Sequence, residues 1–278
     1  MKKVFFLAVS IASLLLPGVM RAQIYDDFDA DLRGRIDVGV EKKIVKGLYV
    51  GVSEEMRLMD MMSSLDRFHT TVDLSYKVCP YFKVGAGYTL MNLHRYDDDS
   101  DTWSWQMRHR AFLDLTGMYK TGSWHFSLRE RFQLTHRCGE MNVYQNPRNE
   151  MVLRSRFKVS YNVHSAPIDP YFSVEVRNTL NAVSYSNWTY TSEQGDNVSY
   201  NDVYVNRVRF QPGLQWKVAK HHSLDFYILG DYCYDKDFDA TKKGKLKYTT
   251  DSDGNKIYSL YYGRSFNTSI GVGYTYSF

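Results

Sequence analysis

The chain has 278 residues, 44% hydrophobic and 15% aromatic, with 23 tyrosines and only 6 prolines. A mean hydropathy of −0.44, with no apolar run beyond residue 22 long enough for a membrane helix, excludes a helical membrane protein. The net charge of +4 is too small to argue for a nucleic-acid partner, and the length fits one domain.

The N-terminus carries Lys2 and Lys3, then an apolar run from Val4 to Leu16, broken by Pro17 and Gly18. Charge, length and the following Arg21-Ala22-Gln23 predict a secretory signal, residues 1–22, cleaved after Ala22. Met20 is larger than ideal three places before that cut. The run is too short for a spanning anchor, and no cysteine lies near the cut to carry lipid. Residues 23–278 then make up the mature domain.

From there the sequence alternates with period two, which is the mark of a strand with two different faces. After the acidic lead Tyr25 to Asp29, the first strand runs about Asp31 to Lys42, with Leu32, Ile36, Val38 and Val40 on one face and Arg33, Arg35 and Asp37 on the other. Lys46-Gly47 turns into a second strand, where Val50, Val52 and Met56 oppose Tyr49, Ser53, Glu55 and Arg57. Glu54 falls on the apolar side; a bulge or a position at the membrane edge is expected there. The third strand, Asp66 to Val78, sets Phe68, Val72, Leu74 and Tyr76 against Arg67, His69, Thr71 and Asp73. The fourth, Tyr81 to His94, presents Phe82, Val84, Ala86, Tyr88 and Leu90, and the polar loop Asp97 to Asp101 follows. The fifth, Trp103 to Tyr119, sets Trp105, Met107, Leu113 and Leu115 against Arg108, Arg110, Asp114 and Thr116, with His109 on the apolar side. The sixth, Trp124 to His136, sets Phe126, Leu128, Phe132 and Leu134 against His125, Ser127, Arg129 and Arg131.

A longer loop, residues 137–149, leads to the seventh strand, Met151 to Val163, with Arg154, Arg156 and Lys158 on its polar face. The eighth, Pro170 to Val183, sets Phe172, Val174 and Val176 against Ser173, Glu175 and Arg177. After a polar loop at 184–201, the ninth, Asp202 to Val218, sets Tyr204, Val208, Phe210 and Trp216 against Arg207 and Arg209. The tenth sets Leu224, Phe226, Ile228 and Tyr232 against Asp225, Tyr227, Asp231 and Asp235. A charged stretch, Lys236 to Lys256, precedes the last strand, Phe266 to Phe278.

That last strand alternates Phe266, Ile270, Val272, Tyr274, Tyr276 and Phe278 with small polar residues and stops on the aromatic. The ending resembles the C-terminal signal strand of Gram-negative outer-membrane barrels, so Tyr274, Tyr276 and Phe278 are the expected assembly signal. From the third strand onward short turns alternate with long polar loops, and Trp103, Trp124, Tyr119, Tyr171 and Trp216 suit the aromatic girdles of such barrels. The expected fold is therefore all-β, a single antiparallel transmembrane β-barrel closed by the C-terminal strand. Eleven strands are legible, whereas bacterial single-chain barrels have even numbers. About twelve are expected, with ten as the alternative; the lead around Phe28 and the stretch Lys245 to Tyr248 are candidates for one more strand.

Several strand motifs carry a family resemblance: Glu41-Lys42-Lys43 with Glu54-Glu55-Met56-Arg57, Asp66-Arg67-Phe68, Gly85-Ala86-Gly87-Tyr88, Leu153 to Phe157, Pro170 to Glu175 and Gly271 to Tyr276. Together they resemble the DUF2490 family, a domain of unknown function. The resemblance implies an outer-membrane barrel and no catalytic signature.

The polar face is expected to line the lumen. It collects Arg33, Arg35, Arg57, Arg67, Arg108, Arg110, Arg129, Arg131, Arg154, Arg156, Arg177, Arg207 and Arg209. The acids there are fewer: Asp37, Glu55, Asp73, Asp114 and Glu175, with Asp225, Asp231 and Asp235. Either these groups form rigid arginine–carboxylate networks, or the surplus arginine lines a narrow anion-preferring pore or binding cavity. The expected partners are outer-membrane lipid and lipopolysaccharide, the barrel-assembly machinery and a small anionic solute, with no cofactor. A lipid-modifying hydrolase would need a positioned Ser–His pair. His125 and Ser127 share a face, as do His69, Thr71 and Asp73, but i and i+2 side chains stand roughly 7 Å apart on a strand, so no catalytic set is expected. A structural or adhesive surface barrel is the further alternative. Asp251 to Asn255 lacks the bidentate Glu of a calcium loop, and Asp97 to Asp101 reads as a solvated loop, so no metal site is expected. Cys79, Cys138 and Cys233 form an odd set without metal spacing.

Overall fold

The computed structural model describes residues 26–97, 101–139, 146–184, 199–238, 248–250, 252, 256–258 and 260–278. The signal segment, most of the Asp97–Asp101 and Asp251–Asn255 loops and residues 245–247 lie outside them. Eleven long strands close into a barrel: β1 (Asp26–Val45), β2 (Leu48–Met59), β3 (Ser64–Cys79), β4 (Phe82–Asp97), β5 (Thr102–Thr121), β6 (Trp124–Arg137), β7 (Asn149–Tyr161), β8 (Ile168–Ser184), β9 (Ser199–Ala219), β10 (His222–Phe238) and β13 (Leu260–Ser277). The short β11 (Tyr248–Thr250) and β12 (Lys256–Tyr258) pair only with each other.

Eleven stands within the expected range of ten to twelve. Neither candidate adds a barrel strand. Phe28 belongs to β1, and Tyr248 belongs to the small hairpin β11–β12. Consecutive barrel strands pair antiparallel, and β13 closes the ring against β1 in parallel, from Asp26↔Tyr262 to Glu41↔Ser277. An odd number of alternating strands must bring two of the same direction together at the closure. Phe278 is fixed there by its backbone: its N–H donates to the Glu41 carbonyl at 3.0 Å, and its carbonyl accepts from Lys43 N–H at 3.0 Å. Closure leaves no strand edge, so the long strands pair their backbone on both sides.

The two-residue connections β1–β2, β3–β4, β5–β6 and β9–β10 lie at one end with Phe278 and the six-residue β7–β8; the four-residue β2–β3 and β4–β5 lie at the other with the start of β1 and the three longest connections. Gly47, at φ +87°, makes the β1–β2 turn in the left-handed region that glycine tolerates.

The outward face is the predicted apolar one: Ile36, Val38, Val52, Leu74, Leu113, Leu115, Phe157 and Ile270 are all exposed. Aromatic groups crowd both ends of this wall. His94, Tyr96, Trp103 and Trp105 pack together at the long-loop end, with His94 and Trp103 rings 4.5 Å apart. Trp124 packs on Tyr161 at the other end, 4.9 Å apart. Trp105 and Tyr119 lie fourteen residues apart on β5. At the strand rise and the tilt of such barrels this puts the two belts on the order of 35 Å apart.

Three expectations about facing are corrected. Glu54 does sit outward, yet its pairing with Val38 and Thr70 is regular and it lies mid-strand, so neither a bulge nor an edge accounts for it. Tyr171 belongs to no girdle: it faces inward, 7% exposed, because its ring covers the bare backbone of Gly213 directly opposite on β9. Tyr204 turns inward because the β8–β9 register shifts between Arg177 and Asn178, which reverses the alternation of β9 above Arg207.

The inner wall is built partly from aromatic–glycine pairs. Phe112 lies over Gly87, Tyr171 over Gly213 and Tyr227 over Gly271, each pair in direct cross-strand register. An added Cβ at any of these glycines would overlap the ring. Glycine is needed at these three positions so that a flat ring can lie against the wall and leave the lumen axis to charged groups.

Candidate functional site

The lumen holds the charges. Glu55 of β2 receives a two-pronged bond from Arg57, with Nε at 2.8 Å and the second nitrogen at 2.9 Å. It also lies 3.6 Å from Arg35 and from His69. Arg35 of β1 reaches past β13 to Asp231 of β10 at 3.4 Å. Asp231 takes Arg209 of β9 at 2.7 Å and lies 4.0 Å from Arg207. Arg209 lies 3.4 Å from Glu175 of β8, which also holds Arg154 of β7 at 2.6 Å and Arg129 of β6 at 3.3 Å. One continuous belt thus joins β2, β1, β10, β9, β8, β7 and β6 through three carboxylates. Guanidinium forks suit it, since each can bridge two acceptors and keeps its charge.

Smaller sets flank the belt. Asp114 receives both prongs of Arg131 at 2.6 Å. Asp66 binds Arg67 and Arg95, each at 2.8 Å. Glu150 binds Arg137 at 3.2 Å and Arg177 at 3.1 Å. Arg33 pairs with Asp31 at 2.8 Å.

The arginines nonetheless outnumber their partners. Arg131, Arg154, Arg177 and Arg207 stand side by side in direct register on β6 to β9, an arrangement that like charges disfavour unless acids or a ligand intervene. Among the described residues, Arg108, Arg110 and Arg156 meet no carboxylate; Arg110 donates instead to Thr135 Oγ1 at 3.0 Å. Toward the short-turn end Asp37, Asp73 and Asp225 face the lumen, with Lys83, Lys158 and Arg156 near them. Asp37 and Asp225 flank Gly273 from either side, and Asp225 accepts from Tyr171 Oη at 3.0 Å.

In the long-loop half the surplus surrounds a cavity of about 460 Å³. Its lining carries ten arginines and Lys236 against Glu150, Glu175 and Asp235, with His69 and Tyr204 among the neutral groups. Of the predicted lumen arginines, Arg57, Arg67, Arg108, Arg110, Arg154, Arg177, Arg207 and Arg209 line it; Arg33 and Arg35 line a smaller space of about 50 Å³ beside it. Arg95, Arg137, Glu150 and Asp66 are site residues that the sequence reading missed.

The hydrolase candidates are not brought together. His125 faces Lys120 and Ser160 near the short-turn rim, and Ser127 faces Met118 and Lys158. Thr71 bonds Thr89 at 3.0 Å. Among the described residues no group of three metal-ligating side chains converges. Cys79 is exposed, Cys138 half-buried and Cys233 buried, all as free thiols.

A comparison with curated proteins gives no match. The family profile described as "Protein of unknown function (DUF2490)" matches residues 36–242, which spans most of the barrel but stops short of the Gly271–Tyr276 motif of the closing strand. The chain belongs to the DUF2490 family.

Proposed function

We propose that the protein is exported through its cleaved signal, sits in an outer membrane, and admits small anions into the arginine-lined lumen from the long-loop side. The outward aliphatic wall between two aromatic belts supports the membrane reading. Strands of 12 to 21 residues exceed the about 9–11 that a tilted strand needs to cross. The single observation that carries the anion reading is the cavity: eleven cationic side chains line it against three carboxylates, and counting Glu55, Asp66, Asp202 and Asp231, which pair with these cations from outside the lining, still leaves four cations in excess. In a narrow space walled by protein, such an imbalance makes the potential positive and concentrates anions. The salt-bridge belt supplies the rigid frame; Arg57, Arg154, Arg207 and Arg209 belong to both the belt and the cavity wall, whereas Arg108 and Arg110, outside the belt, are left for a solute.

The test is reversal potential. The detergent-purified barrel is placed in a planar bilayer under a potassium chloride gradient. Anion-ward reversal is expected, and replacing Arg108 and Arg110 by Gln should reduce it. Cation-ward reversal, or a closed barrel without conductance, would refute the solute reading. Recovery as a soluble periplasmic protein would refute the membrane reading.

A further inference from the structure

The proposed reading says only that anions enter; the lining of the cavity says more about which. Two of its arginines, Arg108 and Arg110, lie two residues apart on β5, so both point inward, and among the described residues no carboxylate lies within ion-pair distance of either, Glu150 of the same lining acting on them only from farther away. Arg108 stands in direct register with Arg137. Three strands away around the wall, Arg177 and Arg207 are in direct register on β8 and β9.

The buried atoms that lack a partner point the same way. Arg137 Nε and Arg207 Nε are buried without an acceptor. Both of these arginines line this one cavity, whereas Arg35 Nε and Arg129 Nε, likewise unpaired, lie elsewhere in the lumen. A buried donor left without an acceptor costs about 1–3 kcal/mol. A ligand made of acceptors and negative charge removes that cost at both atoms together.

Shape selects among anions. A monovalent ion can neutralise one guanidinium and leaves the opposite wall unmatched. A carboxylate presents two oxygens in one plane, whereas the arginines converge from β5 and β6 on one side and from β8 and β9 on another. A phosphoryl group offers oxygens in three directions and about −1.5 to −2 charge near neutral pH. The volume of about 460 Å³ is in the range of small-molecule sites. Its position inside the lumen favours a free solute over the headgroup of a bilayer lipid.

On these grounds, and resting on the anion reading above, we infer that the cavity binds a small phosphorylated solute carrying at least two negative charges, held between Arg108 and Arg110 on one wall and Arg177 and Arg207 on the other.

Inorganic diphosphate is the probe. Thermal unfolding of the folded barrel in detergent is followed by heat-modifiable gel mobility, with diphosphate, citrate or chloride at matched ionic strength. Diphosphate should raise the melting temperature saturably, at concentrations at least tenfold below those at which citrate acts, and chloride should have no saturable effect. Arg108→Gln and Arg110→Gln, singly, should each weaken the diphosphate response at least tenfold without lowering the melting temperature of the free barrel. A purely structural arginine would do the reverse. Equal response to citrate overturns the phosphoryl assignment. No saturable response in the wild-type barrel overturns the site, whether or not either variant folds. If the bilayer measurement still shows anion-ward reversal, the anion reading survives that failure and only the ligand class is lost.

Discussion

Glu175 holds arginines from three strands, β6, β7 and β9, and its neutralisation tests the belt directly. It is 4% exposed and lies within 2.6 Å of Arg154, 3.3 Å of Arg129 and 3.4 Å of Arg209. Glu175→Gln keeps the shape and removes the charge. Arg209 retains Asp231 at 2.7 Å, but Arg154 and Arg129 keep no other carboxylate partner among the described residues. Breaking a buried ion pair from one side costs about 3–5 kcal/mol, because the remaining charge stays buried. For a chain of this size 1 kcal/mol moves the midpoint by about 2–4 °C, so a fall of roughly 6–20 °C is expected. The assay is heat-modifiable gel mobility of the folded barrel, with urea unfolding as a second reading. Adding Arg154→Gln to Glu175→Gln should recover part of the loss, and the recovered part measures the coupling. A variant within about 1 kcal/mol of wild type would refute the belt as the frame of the barrel, since that is the size expected of a solvent-exposed pair.

Two further outcomes follow from the wall and the ends. Gly271→Ala should lower stability by about 1–3 kcal/mol, as overpacking does, because the new methyl overlaps the Tyr227 ring; Gly263→Ala, with open space around it, should be near neutral in the same unfolding assay. Membrane-impermeant maleimide on intact cells should label Cys138, at the long-loop end, and reach the exposed Cys79, at the short-turn end, only after the outer membrane is permeabilised. The opposite labelling order would invert the barrel in the membrane.

The two-faced alternation was sufficient to read the barrel from the sequence, because the apolar outer wall and the charged lumen impose opposite demands on neighbouring residues. It also assigned the arginines to the inside. What it could not supply was where strands end and where their phase slips. Arg95, Arg137 and Glu150 each lie one residue beyond an end drawn at His94, His136 or Met151, yet the strands run on and carry them into the cavity. Asp66 faces inward beside Arg67 because the β2–β3 register shifts between Arg57 and Leu58, so two neighbours share the inner side. The same device places Asn206 beside Arg207 and turns Tyr204 inward. An extra residue in one strand is set by its partner strand, and a single strand's pattern does not contain it. Tyr171 misled for another reason: a tyrosine near a strand end reads as a girdle residue until Gly213 is seen opposite it.

The odd strand number gives the arginines of β1 a second role. A parallel pair is slightly less stable per residue than an antiparallel one, and the ring is closed by one such pair, β1 against β13. Arg35 straddles it. From β1 it reaches Asp231 on β10 at 3.4 Å and Glu55 on β2 at 3.6 Å, so its ties span both neighbours of the seam. Asp231 and Glu55 keep Arg209 and Arg57 when Arg35 is removed, so Arg35→Gln strands no carboxylate and should cost less than Glu175→Gln, about 1–3 kcal/mol. Its effect should instead be local. Amide hydrogen exchange of the folded barrel is expected to quicken along β1 and β13, while the antiparallel β4–β5 pair, far around the ring, keeps its protection. Uniform quickening would show that Arg35 contributes only to global stability and that the seam holds without it. No change at β1 would show that the parallel ladder and the anchored Phe278 suffice.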